Sequence, residues 1–169
     1  MAQVTRVHTD VESPVGRLTL VGEDGALVGL YMEQHRRRPG AAWFGDGVDA
    51  GFEDVTAQLQ EYFAGTRTGF DVAVRPHGTA FEQRVWQAVA RISYGRTRSY
   101  GDLARELGDP GLAQAVGAAN ARNPVCIVVP CHRVVGSDGS LTGYAGGLHR
   151  KRFLLDLEQP PGDLAGRLF

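Results

Sequence analysis

Cysteine is scarce in this chain, with two among 169 residues, and no stretch approaches the roughly 18 consecutive apolar residues of a membrane span. The two cysteines, Cys126 and Cys131, lie in one apolar, strand-like run, which makes them a poor disulfide pair. No second cysteine pair exists to build a zinc site with the five histidines. Reduced thiols, no metal and no cofactor are therefore expected. The opening Met1-Ala2-Gln3-Val4-Thr5-Arg6 lacks the apolar core of a signal peptide, so a cytoplasmic location without membrane contact is expected. Net charge is small, at −1, which on its face argues against a polyanionic partner.

That small total hides an asymmetry. Residues 1–75 carry 7 basic and 11 acidic side chains, whereas residues 76–158 carry 10 basic and 7 acidic ones, so the second half is the candidate polyanion-binding half. With 43% hydrophobic residues the chain can bury a core, as one domain or two small ones.

The first half reads as a meander followed by a helix. Val4–Val7, Leu18–Val21 and Leu27–Tyr31 have strand character, with turns at Pro14-Val15-Gly16 and Glu23-Asp24-Gly25. Residues 35–51 read as a loop whose Arg36-Arg37-Arg38 triplet faces solvent. Phe52, Val55, Leu59 and Phe63 then recur at helical spacing, and a short strand is expected over Phe70–Val74. Arg75-Pro76-His77-Gly78 reads as a domain joint.

Beyond the joint the chain turns helical. Thr79-Ala80-Phe81-Glu82 has the spacing of a capping box ahead of an apolar face of Phe81, Val85, Trp86 and Val89. Ser99 can cap a helix over Tyr100–Leu107, and Asp109-Pro110 can open another filled with small residues, Ala113, Ala115, Gly117, Ala118 and Ala119. Two short helices joined through a glycine carry the signature of a helix-turn-helix, whose second helix enters a DNA groove; tight packing in a core would use the same small residues. Gly136–Gly147 reads as a glycine-rich loop carrying Tyr144. Leu148–Glu158 reads as a closing helix with Leu154, Leu155 and Leu157 inward and Arg150, Lys151 and Arg152 outward.

Chemistry concentrates in Ile127-Val128-Val129-Pro130-Cys131-His132-Arg133-Val134-Val135, where a thiol, an imidazole and a guanidinium are consecutive. A thiol attacks as thiolate, which forms near neutral pH only beside cations, a helix N-terminus or a base. On an extended strand, however, neighbouring side chains face opposite sides, so His132 cannot lean onto Cys131. Either Pro130 ends the strand before a turn, or a water carries the proton between them. Cys126, within the apolar run and without a charged neighbour, reads as a buried, inert thiol.

Taken together, these residues resemble the O6-alkylguanine-DNA alkyltransferase family over Thr79 to Glu158. Pro130-Cys131-His132-Arg133-Val134 resembles its active-site signature, with Asn123-Pro124 at the family's spacing upstream. Gly143-Tyr144-Ala145-Gly146-Gly147-Leu148 resembles its substrate loop, and Leu154-Leu155-Asp156-Leu157-Glu158 its closing helix. The resemblance implies an α/β fold. A small N-terminal ribonuclease-H-like α/β domain (1–75) would precede a mostly helical winged helix-turn-helix domain (76–160) and a tail (161–169). It implies irreversible, single-turnover transfer of an alkyl group from O6-alkylguanine in DNA, with O4-alkylthymine a further candidate, onto Cys131. It further implies that a water joins Cys131 to His132, that Glu158 orients His132, that Tyr100 assists the leaving base and that Asn123 holds the active-site segment together.

The implied partner is double-stranded DNA containing alkylated bases, met by a monomer that flips the damaged nucleotide out of the duplex. Val134, Tyr144, Ala145, Arg122 and Arg133 join Gln114 as substrate- or DNA-facing candidates. Two departures from the family pattern stand out. Ala113-Gln114-Ala115-Val116-Gly117 carries Gln114 where an arginine is expected to fill the gap left by the flipped base, and Ala145 stands where some members carry a serine. Gln114 keeps open a second class, a damage-binding or regulatory protein with weak transfer. A thiol hydrolase built on Cys131 and His132 would need an oxyanion hole that nothing in the sequence suggests.

Overall fold

The computed structural model of the chain describes residues 5–159. The expected tail, 161–169, lies outside the described residues, as do Val4 and Pro160. Three antiparallel strands open the fold, β1 (Arg6–Val11), β2 (Leu18–Glu23) and β3 (Ala26–Met32). The β2–β3 turn places Asp24 and Gly25 at φ +49° and +81°, the left-handed pair that a two-residue hairpin requires. A two-residue strand, β4 (Asp46–Gly47), pairs parallel to β1, giving the order β3-β2-β1-β4. Neither β4 nor the helical turn over Ala41–Phe44 was expected within residues 35–51.

Both faces of the sheet are covered, which is why β3 reads as a nearly continuous apolar run. Val21, Val28 and Tyr31 pack on one side against Phe44, while Leu18, Leu20, Leu30 and Met32 face the main core. Arg38 stacks over the Phe44 ring at 4.8 Å and donates to the Thr19 hydroxyl at 2.9 Å, so this member of the arginine triplet is not merely solvated. Helix α1 (Glu53–Phe63) lays Val55, Leu59 and Tyr62 on that core.

The expected strand at Phe70–Val74 reduces to an isolated bridge between Val74 and Leu27. It meets the outer edge of β3, where Arg75 N–H donates to the Leu27 carbonyl at 2.9 Å. Farther along the same edge, Leu30 N–H donates to the Pro124 carbonyl at 2.8 Å and the Leu30 carbonyl accepts Cys126 N–H at 3.1 Å. The free edge of the sheet is thereby consumed by the segment that leads to Cys131.

The second half contributes α2 (Ala80–Ala90), α3 (Tyr100–Glu106), α4 (Ala113–Ala121) and α5 (Leu148–Leu157). The pair β5 (Arg98–Ser99) and β6 (Val134–Val135) runs parallel beside them. The expected capping box forms between Thr79 and Glu82, and Ser99 caps its helix as expected, in a box completed by Asp102. Asp109 caps a helical turn over Pro110–Leu112, after which α4 follows α3 in helix-turn-helix order. Trp86, 3% exposed, donates its indole N–H to the Ala119 carbonyl at 2.8 Å and so locks α2 to α4. Side chains of the sheet, α1 and these helices form one hydrophobic cluster, so the two halves share a core.

Replacing Thr79 by alanine removes the hydroxyl that accepts the Glu82 amide. The expected cost is about 1 kcal/mol, read as a lower urea midpoint at unchanged slope. An unchanged midpoint would show that this helix start is not held by its cap.

Candidate active site

The run expected to be a strand is instead folded by two tight turns. Val128 N–H donates back to the Cys126 carbonyl at 2.8 Å, with Ile127 between them at φ +72°. This is the rare, strained form of the three-residue turn, here occupied by a β-branched residue. Cys131 N–H likewise donates to the Val129 carbonyl at 2.8 Å around Pro130, whose φ of −81° and ψ of 65° are those of the relaxed form. Asn123, 1% exposed, ties the segment together. Its amide nitrogen donates to the Val129 carbonyl at 2.8 Å, and its oxygen accepts Val125 N–H at 3.0 Å.

Cys131–Arg133 then form a single 3₁₀ turn. Three residues per turn fan consecutive side chains about 120° apart, which removes the opposite-face difficulty of a strand. Asn120, a buried residue that sequence reasoning missed, donates to the Cys131 carbonyl at 3.2 Å. The signal for it was its place on the buried face of α4, with Val116 and Ala119.

His132 and Arg133 turn inward onto Glu158, the residue that ends α5. His132 Nε2 lies 2.7 Å from Glu158 Oε2, while Arg133 reaches Oε1 at 2.8 Å through Nε and Oε2 at 3.0 Å through Nη2. A fourth group arrives from the other half of the chain, the Tyr62 hydroxyl, which donates to Oε2 at 2.6 Å. Tyr62 was not singled out from sequence, although it shares the buried face of α1 with Val55 and Leu59. Burial alone would raise the Glu158 carboxyl, but the His132 and Arg133 hydrogen bonds outweigh it and bring it down to about 2. Burial dominates for His132 and lowers its pKa against the pull of Glu158, so the imidazole is neutral at pH 7. Its Nε2–H is given to the carboxylate, which leaves Nδ1 as an acceptor without a protein hydrogen bond among the described residues.

The Cys131 thiol, 4% exposed, is pulled below its ordinary range. The Cys126 thiol hydrogen-bonding to it is the largest influence, enough with Asn123, Tyr144 and the Lys151 charge to overcome desolvation. Cys126 moves the other way, because its own hydrogen bond to Cys131 and its burial hold its proton in place. Tyr144 is buried, and its hydroxyl faces both sulfurs without a hydrogen bond of strict geometry. Lys151, the chain's one lysine, is fully buried. Its ammonium donates to the carbonyls of Val134 at 2.6 Å and Thr142 at 3.0 Å, and desolvation lowers it to about 8 although the nearby Cys131 pulls upward.

The expected site residues thus separate into two groups. Cys131, His132, Glu158, Asn123 and Tyr144 come together inside, and Tyr100 lies at the rim, its hydroxyl 3.4 Å from the Thr142 carbonyl. Gln114 and Arg122 lie on the exposed face of α4, with Ala115 and Ala118 between them. Ala145 is half-buried, and its carbonyl accepts Arg36 N–H at 3.0 Å. Three expectations need correcting. Arg133 does not face DNA, because its guanidinium is spent on Glu158 and on the Ile92 carbonyl at 2.6 Å. Val134 is fully buried in β6, with its carbonyl committed to Lys151. Lys151 points inward rather than outward, because two carbonyls and a thiol supply the partners that make its burial tolerable.

Among the described residues, no helix is long and apolar enough to cross a membrane. Residues 7–76 match the pattern described as 6-O-methylguanine DNA methyltransferase, ribonuclease-like domain, and residues 80–160 match the DNA binding domain of the same description. The methylated-DNA–protein-cysteine methyltransferase of Mycobacterium tuberculosis is 49% identical over 160 residues, covering 93% of this chain and 96% of the relative. That of Methanosarcina acetivorans is 44% identical, covering 87% and 94%. A solved structure of Mycobacterium tuberculosis OGT in complex with DNA superposes with a TM-score of 0.85 at 48% identity, covering 90% of this chain and 92% of that one.

The Glu158 carboxyl, held at about 2 against an ordinary 4.5, gives an acid-stability expectation. A carboxyl depressed in the folded state contributes stability that is complete above its unfolded value and is lost as pH falls through its folded value. Acid titration of stability should therefore show a loss between about 4.5 and about 2 that Glu158→Gln lacks. At neutral pH that variant, with its buried cation left unpaired, should be less stable by roughly 3–5 kcal/mol. Parallel acid limbs in the two proteins would assign the loss to another carboxylate.

Proposed function

The chain belongs to the 6-O-methylguanine DNA methyltransferase family, which transfers alkyl groups from damaged DNA to a protein cysteine, and on that premise we propose that Cys131 is the accepting cysteine. One observation carries the assignment: Cys131 opens the turn that sets His132 on the buried Glu158 carboxylate at 2.7 Å, whereas Cys126, 1% exposed, has no such base beside it in sequence. The Cys131 sulfur attacks the alkyl carbon on guanine O6, the carbon–oxygen bond breaks, and its electron pair stays with the base. The thiol proton passes towards His132 Nδ1, through a bridging water on the family's pattern. Glu158 steadies the imidazolium that results. Tyr100, at the rim, supplies a proton to the leaving base. The thioether is not hydrolysed, so each molecule acts once.

The thiol is too deep for a base stacked in a duplex, which supports extrusion of the damaged nucleotide. The exposed face of α4 supports the DNA contact: Gln114, Ala115 and Ala118 leave its backbone approachable, and Arg122 stands at its end, 3.7 Å from Glu82. We take the acting species to be a monomer on double-stranded DNA, with residues 1–75 as the α/β domain and 76–160 as the catalytic and DNA-binding domain. A binding-only regulator is the weaker reading, because the relatives named above are methyltransferases and the thiol environment here is built for ionisation.

Incubation with DNA carrying O6-methylguanine should add one methyl group permanently to the parent, on the Asn123–Arg133 tryptic peptide. Cys131→Ser should gain none while still binding the duplex. A methyl group on the Cys131→Ser protein would overturn the assignment.

Gln114 offers a second test. A charge-assisted contact is worth roughly 1.5–3 kcal/mol, so Gln114→Arg should tighten duplex binding at low salt and speed repair of duplex substrate by up to about a hundredfold. Reaction with free O6-methylguanine base, which needs no flipping, should stay unchanged. Equal gains on base and duplex would place Gln114 in the chemistry instead.

A further inference from the structure

Cys126 is a second nucleophile inside the site that the transfer reaction does not consume. In a strand, five residues would separate Cys126 from Cys131 by about 17 Å. The strained turn at Ile127 and the turn at Pro130 fold the segment back instead. Cys126, 1% exposed, and Cys131, 4% exposed, then lie in one buried cluster, near enough for each thiol to act on the other's ionisation. Cys126 is also anchored from behind, its N–H bonded to the Leu30 carbonyl at 3.1 Å on the edge of β3.

We propose that Cys126 is a resolving thiol: when a hydroperoxide oxidises Cys131, Cys126 closes a reversible disulfide with it, which parks the nucleophile and shields it from irreversible oxidation. The proposal rests on Cys131 being the reactive thiol. In the first step the Cys131 thiolate attacks the terminal peroxide oxygen, the O–O bond breaks, and hydroxide (or alkoxide, from an organic hydroperoxide) leaves to take up a proton, giving a sulfenic acid. In the second, the Cys126 sulfur attacks the Cys131 sulfur, the S–O bond breaks, and the Cys126 proton departs with the hydroxyl as water. Overall, two thiols lose two electrons and one peroxide becomes water, with water or an alcohol as the other product.

The surroundings favour this course. With Cys131 only 4% exposed and Cys126 in the same molecule, Cys126 meets the sulfenic acid faster than a dissolved thiol does. Loss of the negative charge on Cys131 also removes part of what holds the proton on Cys126. For a protein whose one reaction depends on one sulfur, oxidation to sulfinic acid would be final, whereas a disulfide returns to thiols in a reducing compartment.

The two cysteines fall in a single tryptic peptide, Asn123–Arg133, so one fragment reports on both. After hydrogen peroxide treatment, denaturation and iodoacetamide trapping, that peptide from the parent should be lighter by two hydrogens and carry no trap. Dithiothreitol should then restore most of the lost methyl transfer. In Cys126→Ser the same dose should leave added oxygen on Cys131, with transfer still lost after reduction, each protein being scaled to its own untreated activity. Oxygen on Cys131 beside a trapped Cys126 in the parent, or equal recovery in parent and variant, would overturn the proposal. Should Cys126→Ser fail to fold, the parent peptide decides alone. An untreated arm with O6-methylguanine DNA separates the two readings. Methyl transfer that misses this peptide would overturn the Cys131 assignment itself, whereas methylated Cys131 without a disulfide would overturn only the resolving role.

Discussion

An ionised carboxylate buried at the junction of two halves sets the terms for everything around it. Glu158 is 2% exposed, and an uncompensated charge at that depth would cost several kcal/mol. Its donors come from three places: Tyr62 on α1, His132 and Arg133 on the active-site turn, and, at 3.5 Å, the backbone N–H of Gly95. None of these can be supplied by a partly assembled molecule. The carboxylate therefore couples the folding of the sheet half to the positioning of the imidazole, and the N-terminal half reaches this carboxylate through the Tyr62 hydroxyl.

A second balance decides which sulfur carries charge. Lys151 sits among the Val134 and Thr142 carbonyls with its ring neighbour Tyr144 at 5.9 Å, and its charge favours a thiolate at Cys131. The Cys126 thiol and the Asn123 amide add hydrogen bonds to the same sulfur, while neutral His132 stands ready as a base. Both buried cations thus have partners that make their burial tolerable, Arg133 the Glu158 carboxylate and Lys151 two carbonyls and the nearby Cys131 sulfur.

Much of the scaffold was legible in the sequence because local patterns dictate it. The strands over Leu18–Glu23 and Ala26–Met32, the left-handed pair Asp24-Gly25, and the helix caps at Thr79 and Ser99 each depend on residues within a few positions of one another. The grouping of Cys131 with His132, Asn123, Tyr144 and Glu158 was legible only through the resemblance of their motifs to those of the family. What misled was tertiary override of pattern. Val125–Val129 has the composition of a strand but is bent by the Asn123 side chain and the edge of β3, a partner distant in sequence. Lys151 and Arg133 have surface chemistry, and only their partners put them inside. Tyr62 reads as core until Glu158, 96 positions away, is brought to its hydroxyl.

Burial of the thiol carries its own logic on the proposed reading. A catalyst that turns over must release product, and a sealed, rigid pocket slows release. A protein that keeps the alkyl group has no product to release from the sulfur, so depth brings no penalty there. Depth strengthens every electrostatic contact that lowers the thiol pKa, and it confines attack to a base delivered singly into the site. The same depth slows dissolved thiols on their way to an oxidised sulfur. Rescue of an oxidised Cys131 then falls to a group already inside, and Cys126 is the thiol the fold has placed within reach.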